Sequence, residues 1–115
     1  MRRGGAGYLA DMPKPVIIAK LTAQEGKRDE LVVAFGRMID HVTANEPGTE
    51  VYVLHTDDAD PNVAWFYEMY SDKAALGAHS TSDTMKSVGR ELAGLMAGRP
   101  EIIMLTPAAG KGLTL

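Results

Sequence analysis

The sequence predicts an α+β domain of the ferredoxin-like kind, βαββαβ, with one four-stranded antiparallel sheet roofed by helices on a single side. Three observations carry this. Short β-branched or aromatic runs alternate with two long stretches of helical apolar spacing, in the order strand–helix–strand, strand–helix–strand. The two middle runs are joined by "DDADPN", whose Asp and Pro residues favour a turn, so they form a hairpin. At 115 residues the chain can bury one core but not two.

Each element has its own signal. "PVIIAKLT" (15–22) is β-branched and bounded by proline and a polar turn, hence a strand. "EGKRDELVVAFGRMIDHVTAN" (25–45) places Leu31, Phe35, Met38, Ile39 and Val42 on one stripe, giving an amphipathic helix that Pro47 and Gly48 end. "TEVYVLHT" (49–56) and "VAWFYEMY" (63–70) are the hairpin strands. "SDKAALGAHSTSD" (71–83) opens on a Ser or Asp cap and reads as a short helix. "DTMKSVGRELAGLMAG" (83–98) aligns Met85, Val88, Leu92, Leu95 and Met96 as a second long helix. "EIIMLTP" (101–107) closes the sheet. Residues 1–14 read as a flexible Gly-rich arm, 15–106 as the domain and 107–115 as a loose tail unless Leu113 and Leu115 dock on a partner.

Helices cover only one face of such a sheet, and a half-exposed sheet ordinarily alternates apolar with polar residues. Here "VIIA", "VYVL", "VAWFY" and "IIML" are apolar on both faces. Monomers rarely leave a large apolar patch open, so a homodimer packed sheet to sheet about a two-fold axis is expected.

Composition removes several classes. The net charge is −3 and no basic cluster exceeds Arg2-Arg3 or Lys27-Arg28, which argues against nucleic acid. With no cysteine there is no disulfide, thiolate nucleophile or Cys-ligated metal. The three histidines lack close ligand spacing, so no metal site is expected. No run approaches the roughly 18 apolar residues of a membrane span, and the N-terminus lacks the apolar run of a secretory signal. A cytoplasmic protein is expected.

Along the third strand Trp65, Tyr67 and Met69 share one face and Phe66, Glu68 and Tyr70 the other. If the first set lies beneath the helices, His79 approaches it and a pocket is walled by an indole, a phenol and a thioether. With an ordinary pKa of roughly 6.5, His79 would then serve as a base for a phenolic proton; the alternative is a histidine bonded locally at a helix end. Trp65 and Tyr67 either stack on an aromatic ligand or are core. Glu68, mid-strand among aromatics, is expected to be structural, paired across the dimer with Lys20 or an arginine. Tyr52 and His55 are further candidates on the second strand, and His41 reads as a solvated flank.

Two segments carry a family resemblance: "EPGTEVYVLH" (46–55), and "FYEMYSDKAALGAH" (66–79) with its E-x-Y-x-D-x-x-A-x-x-x-H run from Glu68 to His79. In order and spacing they resemble the antibiotic biosynthesis monooxygenases, dimeric α/β barrels that include quinol monooxygenases, over about residues 15–106. The resemblance implies oxidation of small phenols, naphthols or hydroquinones by dioxygen without metal, flavin or haem. It implies His79 as the base, with Trp65, Tyr67, Met69 and Tyr52 around the substrate. The family also contains haem degraders and an isomerase-like enzyme. Haem degraders use an Asn on strand one and a Trp before the strand-three Glu, where this chain has Ala19 and Tyr67; only His79 matches. The alternatives are a non-catalytic small-molecule-binding or stress-related dimer of the same fold, or an isomerase; haem degradation is not expected.

Overall fold

A computed structural model describes residues 14–112. The order is β1 (Val16–Thr22), α1 (Arg28–Asn45), β2 (Thr49–Thr56), β3 (Val63–Tyr70), α2 (Lys73–Ser80), α3 (Asp83–Ala93) and β4 (Glu101–Leu105). The strands form one antiparallel sheet in the order β2-β3-β1-β4, with β1 pairing both β3 and β4. This is the expected ferredoxin-like α+β arrangement. The expected arm lies outside the described residues except for Lys14, as do Leu113 and Leu115 of the tail.

Local chemistry sets the helix starts. Asp72 and Ser82 cap α2 and α3, their side chains accepting hydrogen bonds from the backbone N–H groups of Ala75 and Met85. At the start of α1 the guanidinium of Arg28 donates to three carbonyl oxygens of the β2–β3 turn, those of Asp57 (3.0 Å), Asp60 (3.0 Å) and Val63 (3.2 Å). Helix α3 stops earlier than its apolar stripe suggests. From Leu95 onward the backbone serves the sheet instead: the Leu95 carbonyl accepts from Gln24 N–H, Ala97 N–H donates to Thr22, and Met96 bridges to Ala23.

The core lies between the helices and one sheet face. That face is built from Ile17, Ala19 and Leu21 of β1, Tyr52 and Leu54 of β2, and Ala64, Phe66 and Tyr70 of β3. Leu31, Ala34, Phe35, Met38 and Val42 of α1 and Val88 and Leu92 of α3 pack on it. Phe35 meets Phe66 edge to face at 4.8 Å between ring centroids, and Tyr52 stacks on Phe66 at 4.5 Å.

This reverses the expected orientation of β3. Trp65, Tyr67 and Met69 alternate onto the face turned away from the helices, while Phe66, Glu68 and Tyr70 lie beneath them. Register accounts for the choice: Phe66 sits opposite the small Ala19, which leaves room for its ring under Phe35. The outward face carries Ile18, Val53, Trp65, Tyr67, Ile103 and Leu105, and of these Val53, Ile103 and Leu105 are exposed.

Candidate functional site

A cavity of about 550 Å³ opens between the helix-covered face of the sheet and α3. Its floor is Ala19, Tyr52, Phe66 and Glu68; its roof includes Met85, Gly89 and Leu92; residues 96–100 and Ile102 form one side. Small side chains create the space. A methyl group built on Gly89 would meet nothing within 4 Å, and Ala19 is the least bulky residue of the floor. The lining is mainly apolar with few polar groups, the usual composition of a small-molecule site.

The polar floor continues behind the cavity wall. Glu68 is buried, and the Tyr70 hydroxyl donates to its Oε1. His79, 3% exposed, lies against the edges of Tyr52 (5.1 Å between centroids) and Tyr70 (5.5 Å). Its Nδ1 is 2.8 Å from Oε1 of Glu46, which also accepts from the Thr49 hydroxyl at 3.0 Å. The other Glu46 oxygen is buried without a hydrogen bond, although His41 Nε2 stands 3.3 Å away. His41 in turn reaches the Thr84 hydroxyl through Nδ1 at 3.2 Å. One carboxylate from the α1–β2 turn is thus held between two imidazoles.

Backbone geometry delivers Glu46 to this place. The Gly48 carbonyl accepts from Ser71 N–H at 2.8 Å, drawing the turn against the start of α2. A side chain at Gly48 would sit 2.6 Å from the Ala75 Cβ, so the close approach itself demands glycine.

Burial raises the pKa of Glu68 above the ordinary carboxyl range, an effect reinforced by Glu46 and opposed by the Tyr70 hydrogen bond and by His79. Burial likewise raises both tyrosines, with the Glu68 charge adding to the effect, so Tyr52 and Tyr70 are neutral donors at physiological pH.

The expected site residues therefore separate. Tyr52 lines the cavity, and His79 stands directly behind it. Trp65, Tyr67 and Met69 are on the far side of the sheet and are not brought near His79. The indole N–H of Trp65 instead donates to Asp57 Oδ2 at 2.8 Å, and this bond, with the Asp60 and Ala59 backbone N–H groups, lowers the Asp57 pKa to about 2. Among the described residues Glu68 is bonded to Tyr70 and to no lysine; Lys20 lies 3.9 Å from Glu101 and over the Trp65 ring. His55 sits on the outer face with Nδ1 3.2 Å from the Trp65 carbonyl oxygen. His41 is bonded across α1 and α3 rather than simply solvated. The sequence does not single out Glu46, Tyr70 or the α3 roof as part of this site. The only signal for the first was its place at the head of the E-P-G turn. Among the described residues no group of three or more His, Asp or Glu side chains is arranged to hold a metal ion, and no described helix is long and apolar enough to cross a membrane.

Residues 16–90 match the family model for antibiotic biosynthesis monooxygenase. The chain belongs to that family. A Caulobacter crescentus structure named as a candidate antibiotic biosynthesis monooxygenase is 31% identical, with a TM-score of 0.80 over 84% of this chain and 92% of that one. PA3566 from Pseudomonas aeruginosa is 26% identical, with a TM-score of 0.74 over 85% and 97%. Rv0793 from Mycobacterium tuberculosis, 22% identical with a TM-score of 0.75 over 86% and 99%, shares the fold. No curated protein matches the sequence. Membership of the monooxygenase family makes oxygen chemistry the first class of activity to consider for the cavity.

Proposed function

We propose that this chain is a cofactor-independent monooxygenase that oxidises a small phenol, naphthol or hydroquinone with dioxygen inside the cavity. The observation that carries the reading is an apolar chamber whose floor ends in Tyr52 and Glu68, backed by the buried His79–Glu46 pair. The volume suits a small aromatic ligand. Tyr52 and Phe66 offer ring faces for it, and an aromatic contact adds about 0.5–1.5 kcal/mol beyond simple burial.

In the simplest case a phenol with a free para C–H and one dioxygen give a quinone and one water. The substrate supplies the electrons, one oxygen atom enters the ring and the other leaves in water. Loss of the hydroxyl proton makes the ring a far better electron donor, so a base near the hydroxyl is the protein's main contribution. His79 stands directly behind the floor and supports that base, its ring held in place by the Glu46 carboxylate against Nδ1. An oxygen-electrode screen of hydroquinones and naphthols, with chelator present, tests the reading. His79→Ala should remain folded while oxygen uptake collapses by about 10²-fold or more. Wild-type protein that consumes no oxygen with any such compound sinks it. If it converts a substrate without oxygen, the site is an isomerase, because a carboxyl, two phenols and an imidazole can also shuttle protons.

The apolar outer face supports a sheet-to-sheet homodimer. The solution mass at working concentration tests this separately.

A further inference from the structure

Resting on the monooxygenase reading, we propose that Glu68 is the catalytic base that touches the substrate, taking the phenolic proton directly, with His79 and Glu46 behind it. Glu68 forms part of the cavity lining and His79 does not. Oε1 is occupied by the Tyr70 hydroxyl. Oε2 has no hydrogen-bond partner among the described residues, and Glu68 is part of the cavity wall. A structural role does not require this chemistry. A glutamine oxygen could also accept the Tyr70 bond and would avoid the desolvation of an acid.

The surroundings tune the group for the task. Facing it are Tyr70 from its own strand, Tyr52 from β2, His79 from α2 and Glu46 from the α1–β2 turn. Arg99 lies in the cavity lining on the α3–β4 connection. Helices α1 and α3 present Phe35, Met85, Gly89, Leu92 and Ala93 to the cavity, none with a polar side chain. A carboxyl lifted by such burial is a stronger base than one in water and closer in proton affinity to a phenol, which makes transfer between them more nearly balanced. In the step the phenol O–H bond breaks, an O–H bond forms on Glu68, and the electron pair stays on the phenolate. No electrons are exchanged. The same proton is returned to the oxygen that departs as water.

The test uses 4-nitrophenol, whose phenolate absorbs visibly, bound under anaerobic conditions so that no turnover is required. Wild-type protein should bind it partly as phenolate. Glu68→Gln should lower the bound ionised fraction by about tenfold or more, while binding of 4-nitrotoluene, which has no hydroxyl, stays within about twofold as proof of an intact cavity. With oxygen and an oxidisable phenol, kcat should fall by about 10²-fold or more with KM little changed. Tyr70→Phe gives a second measure. It removes a bond that favours the carboxylate and so makes Glu68 a stronger base, and the midpoint of probe ionisation should move to lower pH. Equal phenolate fractions in wild type and Glu68→Gln, or an unmoved midpoint in Tyr70→Phe, overturn the assignment even where oxygen uptake is normal. Probe ionisation that depends on Glu68, without oxygen uptake for any phenol, supports Glu68 and removes the monooxygenase reading. Failure of wild type to bind either nitroaromatic overturns both.

Discussion

Gly48→Ala is the substitution whose cost follows most directly from the geometry. The new Cβ would lie 2.6 Å from the Ala75 Cβ and 3.3 Å from the Ser71 Oγ. Unstrained carbon pairs sit about 3.5–4.0 Å apart, so the overlap with Ala75 is roughly 1 Å. The serine can rotate; the alanine cannot, because its Cβ is fixed to the α2 backbone. Overpacking of this kind typically costs about 1–3 kcal/mol. Ala75→Gly removes the opposing methyl but alone costs about 1 kcal/mol in helix propensity. Urea unfolding of wild type, both single variants and the double variant therefore forms a cycle. The clash predicts a double variant about 1–3 kcal/mol more stable than the sum of the single losses. Additivity within about 0.5 kcal/mol would refute the contact. The same shift should pull α2 and its His79 away from Glu46, so proton-transfer activity should fall in Gly48→Ala and return in the double variant.

Other tests address the cavity and the two sheet faces. Gly89→Ala should stabilise the protein by about 0.5–1 kcal/mol, because α3 gains helix propensity where a methyl meets open space, whereas Gly89→Leu should fill the cavity and abolish nitroaromatic binding measured by calorimetry. The raised pKa of Glu68 means that the folded state holds its proton more tightly than the unfolded chain. Its contribution to stability is full below the ordinary carboxyl range and is lost as pH rises through the raised value. Urea midpoints across that window should show this downward slope in wild type and a flatter one in Glu68→Gln. Trp65→Phe should loosen the hairpin, seen as faster amide exchange around Asp57, yet leave cavity binding within about twofold, because the indole lies on the opposite face.

Most of the architecture was legible in the chain, because strand and helix spacing and the Pro47-Gly48 stop are local signals. The inward face of β3 was not. In "VAWFYEMY" both alternating sets are large and aromatic, so periodicity cannot choose between them. The choice is made across strands, by Ala19 opposite Phe66 and by the Phe35 edge above it. The surroundings of Glu68 are hidden in the sequence for the same reason. Once the strand is turned over, the isolated carboxylate faces the helices and an empty space rather than a partner sheet. His79 stood out by its residue type, but its partner Glu46 is 33 residues earlier, and no spacing rule links a turn to a helix at that separation. The end of α3 was misread because its apolar stripe continues through Leu95 and Met96, whose backbone groups are engaged at the end of β1.

The Arg28 grip on the hairpin has a consequence for how this loop can vary. A guanidinium that gathers three main-chain oxygens recognises the path of the chain and is indifferent to what hangs from it. Residues such as Asp58 and Pro61 are then free to change so long as those oxygens still converge, while one inserted residue would scatter them. Lysine in place of Arg28, with a single point of attachment, would keep the charge and lose the grip.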